Sequence, residues 1–236
     1  MLKKIDMNYY LVVGTTFLVS VIVNTILQNK LRLYSKLYLH SNMSGKEIAD
    51  KMLTENGIYD VHVLSTEGEL TDHYNPLNKT INLSEKVYEK KSITAIAIAA
   101  HECGHALQHK LNYNLLELRN YLVPILNFAS KFTNIAIMYG ISMFYGSSGK
   151  DSFILQLGIG LFFMVVLFSL ITLPIEFDAS NRALTWLRNK NIVNYQEYRK
   201  VKDSLRWASM TYVVHALGSL GQLIYFMSVF YQKEEE

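Results

Sequence analysis

The sequence predicts a mainly α-helical integral membrane protein of about four transmembrane helices carrying a small α+β cytoplasmic domain. Three observations predict it. Half of the 236 residues are hydrophobic and only 18% are charged, and most of the charge lies in two blocks separated by long uncharged runs, the distribution a bilayer imposes. Residues 7–29, 152–175 and 207–232 contain no Asp, Glu, Lys or Arg, and each is long enough as a helix to cross roughly 30 Å of hydrocarbon. Between the first two runs lies a stretch with helix-capping and strand-like patterns, followed by a histidine-bearing apolar helix.

Residues 1–29 form the first transmembrane helix. Lys3 and Lys4 before an apolar run would suit a signal peptide, but the run continues into Gln28-Asn29-Lys30 without a small-residue cleavage site, so it reads as a retained anchor. Residues 30–40 interleave leucines and tyrosines with basic groups and predict an amphipathic helix along the inner membrane surface. From 43 to 91 the chain reads as a mixed subdomain. Ser44 and Glu47 form a capping box for a helix over 45–56, stopped by Asn56-Gly57. A strand near 61–64, a turn at Gly68, the polar stretch 71–76 and a second strand near 80–83 follow. The second strand, read as an edge, would offer backbone groups to an extended peptide.

A helix then begins near Ile93 and closes the segment 30–121. Residues 122–175 form a helical hairpin, whose first arm, 122–144, is apolar but contains Pro124 and Lys131. That lysine must snorkel, line a polar cavity or mark the edge of a shorter span. Residues 176–206 are a cytoplasmic helical segment, and 207–236 the last span with an acidic tail, Glu234-Glu235-Glu236, read as disordered. Small residues such as Gly158 and Gly160 allow close helix packing.

The chemistry centres on His101-Glu102-Cys103-Gly104-His105. Two imidazoles one helical turn apart hold a zinc ion from one face, and the carboxylate between them takes a proton from water at the metal and passes it to a leaving amine. His101 and His105 are the expected metal ligands and Glu102 the catalytic base. A third ligand must come from elsewhere. His109 would sit a further turn along the same helix and lacks the glycine turn that brings a third histidine back. Glu176 is the leading candidate, placed after the third span, where Pro174 would let a new helix start. Asp178 competes from another helix face, and an ordinary interfacial acid is the plain alternative. Cys103, the single cysteine, excludes an intramolecular disulfide and a thiolate cluster; its side chain points away from the histidines, as a small core residue. Asp178, Ser180 and Asn181 are candidates for orienting a histidine ring, and Arg182 and His215 for stabilising an oxyanion. His215, within the last span, equally fits a neutral imidazole holding helices together. His73 is a ligand candidate or, more simply, a turn histidine.

Topology and chemistry constrain each other. With four spans, segments 30–121 and 176–206 face the same side, where Glu176 can meet the histidines. Lys30, Arg32, Lys36, Arg119, Arg182, Arg188, Lys190, Arg199, Lys200, Lys202 and Arg206 belong to that side, against mainly Lys3, Lys4, Lys150 and Lys233 on the other. Positive residues concentrate in the cytoplasm, so the site faces inward. No zinc finger, P-loop or dinucleotide fingerprint appears, and the slight basicity calls for no nucleic acid.

Leu70-Thr71-Asp72-His73-Tyr74-Asn75-Pro76, Ile81-Asn82-Leu83-Ser84, Ala99-Ala100 leading into the 101–109 motif, and Leu173-Pro174-Ile175-Glu176-Phe177-Asp178-Ala179-Ser180 together resemble the YugP-like neutral zinc metallopeptidases of the bacterial cytoplasmic membrane. The resemblance covers nearly the whole chain. It implies a multi-pass membrane protease with a zincin-like domain, one catalytic Zn2+ on His101, His105 and Glu176, Glu102 as base, and a membrane-associated protein or peptide substrate beside the lipid bilayer. More distantly the chain is similar to the HtpX and CAAX-prenyl endopeptidase group, in which an aspartate four residues after the glutamate ligand orients a histidine; here that position is Ser180. The expected function is endoproteolysis of membrane or membrane-proximal proteins. A catalytically silent zinc-stabilised scaffold, and a zinc amidohydrolase acting on a lipid-linked amide, are the alternatives. The sequence does not determine the oligomeric state.

Overall fold

The computed structural model describes residues 2–147 and 153–234, with side chains described for 10–147 and 153–230. Along the chain run α1 (Leu2–Tyr34), α2 (Gly45–Glu55), β1 (His62–Thr66), β2 (His73–Asn75), β3 (Thr80–Ser84), α3 (Glu85–Glu89), α4 (Ile93–Lys110), α5 (Asn114–Gly146), α6 (Phe153–Asn189) and α7 (Tyr195–Glu234). Glu235, Glu236 and the Lys150 connection lie outside the described residues. Two compact units emerge. One holds the described parts of Met1–Ile22, Leu118–Leu173 and Thr211–Glu236; the other holds Val23–Glu117 and Pro174–Met210.

In the first unit the helices are apolar and closely packed. A Cβ on Gly140 would meet the Leu155 backbone at 2.6 Å, and one on Gly158 would meet Ile137 N at 2.9 Å, so α5 and α6 approach backbone to backbone. Gly160 faces open space. Among the described residues three helices are long and apolar enough to cross a membrane: Tyr10–Tyr34, Phe153–Asn189 and Tyr195–Phe230. The expected fourth span falls within α5, a continuous 33-residue helix with Pro124 inside. It is not among those three, because Asn127, Lys131 and Asn134 dilute its apolar run, and Lys131 is exposed.

The second unit is the α+β part. The capping box closes α2: Glu47 N donates to Ser44 Oγ at 3.2 Å and Ser44 N donates to Glu47 Oε2 at 2.7 Å. Ile48, Ala49 and Met52 of α2 are buried with Ile96, Ala100 and Cys103 of α4 in one hydrophobic cluster. A reciprocal cap starts α7, where Asn194 N donates to Glu197 Oε2 and Glu197 N to Asn194 Oδ1. The buried Glu197 carboxylate also accepts from His40 N.

Three expectations are corrected here. The basic stretch 30–40 forms no separate surface helix: α1 continues to Tyr34, because no breaker interrupts it and because Lys30 and Tyr34 both donate to Asp203 Oδ2 of α7. The strand near 80–83 is no edge. The sheet order is β1-β3-β2, with β1 parallel and β2 antiparallel to β3, so β3 spends its backbone on both neighbours and β2, in the polar stretch 71–76, is an edge. Finally, no new helix starts at Glu176. Pro174 lies inside α6, where it forgoes one backbone bond without ending the helix.

Candidate metal centre

The site is built on α4, whose start is capped by Ser92 Oγ accepting from Ala95 N at 3.2 Å. Alanines at 95, 97, 99 and 100 are all buried, which lets neighbouring elements approach the helix closely. At Gly104 the approach is closest: a Cβ there would lie 2.4 Å from Ala179 O of α6. The glycine inside the histidine motif thus lets the Glu176 turn of α6 sit directly against the histidine face of α4.

His101, His105 and Glu176 form a group whose ligand atoms all lie within 4.8 Å of one another. Glu176 Oε2 is 3.2 Å from His101 Nε2 and 3.7 Å from His105 Nε2, and the two imidazoles meet edge to face with centroids 4.8 Å apart. Ligands at zinc-like bond lengths around a tetrahedral ion are separated by about 3.3 Å; the two histidine–glutamate separations are close to that spacing, and the whole set, within 4.8 Å, contracts onto an ion by side-chain rotation. Glu176 and His105 are buried and His101 is half-buried. Burial alone would lower the His105 pKa, but Glu176, the Glu102 charge and Gln108 outweigh it and raise it, a sign that the cavity favours positive charge. Two nitrogens and one carboxylate are the three-donor set of a catalytic rather than a structural metal site.

The other ring nitrogens are accounted for. Ser180 Oγ lies 3.1 Å from His101 Nδ1, so of the candidates Ser180, Asp178 and Asn181 it is Ser180 that contacts a histidine; Asn181 is exposed. His105 Nδ1 lies 3.0 Å from Gln108 Oε1. Gln108 is fully buried, and its Nε2 donates to Ile175 O and Asp178 Oδ2, both at 2.8 Å. Sequence reasoning missed Gln108, although its position three residues after His105 on a buried face was a usable signal. Asp178 also accepts from Arg182 Nε at 2.5 Å. That bond ties up the Arg182 nitrogen, and the guanidinium sits 6.0 Å from the Tyr113 ring centroid.

Glu102 is buried and its Oε2 accepts from Tyr74 N of β2 at 2.9 Å. This contact was also missed. Tyr74 Oη and His109 Nδ1 share a hydrogen bond at 2.7 Å, and burial, reinforced by the Asp60 charge, pushes the phenol up to about 12, so Tyr74 keeps its proton. His109 and His73 lie outside the metal group; His73 is exposed, with its Nδ1 2.7 Å from Thr71 O. Cys103 is buried with its thiol 3.6 Å from Ala49 O. His215 is exposed on α7 in the other unit.

A helix with histidines four residues apart, completed by a distant glutamate in a mainly helical chain with membrane-length apolar helices, defines a membrane protein of the zincin type. The family model described as "Putative neutral zinc metallopeptidase" matches residues 9–231, and the chain belongs to that family. It is also 42% identical over 203 residues to the "Putative membrane protease YugP" of Bacillus subtilis (strain 168), covering 86% of this chain and 88% of the relative. No solved structure matches. Family membership and the His-His-Glu cluster make this chain a zinc metallopeptidase.

Proposed function

We propose that the chain is an endopeptidase of membrane or membrane-proximal proteins, using one Zn2+ held by His101 Nε2, His105 Nε2 and Glu176, with Glu102 as general base. The observation that carries it is the convergence of those three donors beside a carboxylate that is itself fixed by the backbone of an edge strand. When bound, the ion supplies Lewis-acid polarisation of the scissile carbonyl and acidifies water. The protein's own groups do the rest. Tyr74 N holds Glu102 Oε2, leaving Oε1 to take the proton from water and deliver it to the departing amine. In an antiparallel edge strand the N–H and C=O of one residue point the same way, so the Tyr74 carbonyl shares the edge that faces Glu102 and is available to an extended substrate backbone. The polypeptide therefore enters beside β2.

The same reading assigns four spans. Glu176 and the histidines belong to one compact unit, so the chain between Glu117 and Pro174 must leave and return on one side. If α6 crosses, α5 crosses too, and its 33 residues extend about 50 Å. Segments 30–121 and 176–206, rich in Lys and Arg, then face the cytoplasm, with 1–29, 122–175 and 207–236 carrying the spans. The test is metal replacement in the purified protein. Casein cleavage lost on treatment with a zinc chelator and restored by Zn2+ but not Mg2+ is expected; cleavage indifferent to the chelator overturns the reading.

A further inference from the structure

Away from the metal centre, a cavity of about 360 Å³ opens between the end of α1, the β1–β2 connection, α3 and the start of α4. Its α1 wall is one helix face, Gln28, Leu31 and Arg32, within the membrane-length segment Tyr10–Tyr34, continued by Ser35 just past the helix end. Leu31, Val87, Ala95 and Ile98 give it an apolar lining. The inner polar groups already have partners: Ser92 Oγ accepts from Ala95 N, Thr94 Oγ1 donates to Leu31 O, and Asp72 accepts from the amide and hydroxyl of Ser84. The cations differ. Lys86 pairs with Glu69, whereas Arg32 and Lys90 are exposed and make no ion pair among the described residues. Both are near enough for their charges to act on the Glu69 carboxylate. The cavity thus combines an apolar strip and polar groups that are internally satisfied with surplus positive charge, at the end of a segment fit to lie in a bilayer.

We propose that this cavity binds an anionic phospholipid from the membrane, its phosphodiester between Arg32 and Lys90 and its glycerol and upper acyl carbons against Leu31, Val87 and Ile98. Three features select this occupant. The volume exceeds what one protein side chain fills. The lining is continuous with an apolar span, so a lipid reaches it without leaving the membrane. The unpaired charge complements a monoanionic headgroup, and basic pockets beside membrane helices hold such headgroups by charge and apolar contact together.

The experiment is native mass spectrometry of the full-length protein released from detergent, titrated with phosphatidylglycerol or with phosphatidylcholine of the same chains. The wild type is expected to retain the anionic lipid about tenfold better than the zwitterionic one. Arg32→Glu with Lys90→Glu removes that preference, while Lys36→Glu with Lys202→Glu, an equal charge change at exposed lysines outside the cavity, preserves it. If the double variant fails to fold, Lys90→Ala, at an exposed position, replaces it and is expected to reduce the preference severalfold. Equal retention of both lipids by the wild type, or equal loss in the two double variants, overturns the proposal. Displacement of the bound lipid by millimolar inorganic phosphate would reassign the cavity to a soluble anion, and displacement by an acidic peptide would reassign it to substrate; either result overturns the lipid assignment.

Discussion

Gln108 Oε1 lies 3.0 Å from His105 Nδ1, and the amide cannot turn over because its Nε2 donates to both Ile175 O and Asp178 Oδ2. The oxygen therefore faces the imidazole and requires a proton on Nδ1, which leaves the Nε2 lone pair for a metal. The same side chain ties α4 to the residue preceding Glu176, so one amide sets both the tautomer of His105 and the position of Glu176.

Replacing Gln108 with Leu frees the imidazole to change tautomer and removes the donor that ties α4 to Ile175 O and Asp178. Zinc affinity, measured by competition with a chromophoric chelator, is expected to fall about 10- to 100-fold. Ser180→Ala, which removes the group on His101 Nδ1, is expected to fall at the lower end of that range. Unchanged affinity in both would show that the ring partners do not orient the ligands.

Gly104→Ala tests the close approach. Its Cβ would lie 2.4 Å from Ala179 O, a backbone atom that cannot swing aside, so α4 and α6 must separate and carry the histidines from Glu176. Overpacking of this kind costs about 1–3 kcal/mol. A lowered thermal midpoint together with weakened zinc retention is expected; a wild-type midpoint with full zinc content would contradict the packing.

The Tyr74 phenol supplies a pH signature. Burial raises it to about 12 from an unfolded value near 10, so between those values the folded chain keeps a proton that the unfolded chain releases. The stabilisation is complete below about pH 10 and is lost as pH rises through about 12. Denaturant unfolding across that window is expected to show a steeper loss of stability in the wild type than in Tyr74→Phe; parallel slopes would contradict the raised phenol.

The His101, His105 and Glu176 cluster was legible because metal chemistry fixes such spacing: two histidines four apart must share a helix face, and a glutamate after a long apolar run had few rivals. Their supports were less so. β2 is only three residues, His73 to Asn75, too short for an alternation to mark a strand, and it exists because β3 offers it a partner. The continuity of α6 through Pro174 was hidden because proline reads as a helix start, whereas here the surrounding turns keep the helix intact. Lys30 looked like a lipid-facing charge since its partner Asp203 lies 173 residues away. The site's first ring of contacts, Gln108, Ser180 and Tyr74 N, likewise depends on chain segments whose meeting no local pattern announces.

The most direct test compares wild type and Glu102→Gln, purified in detergent, for zinc by elemental analysis and for casein cleavage in the same samples. The account predicts one zinc per chain in both, with cleavage at least about a hundredfold lower in the variant, because the amide keeps the fold but cannot take the proton. Folded wild type without zinc, or a variant that cleaves as fast as the wild type, would contradict it.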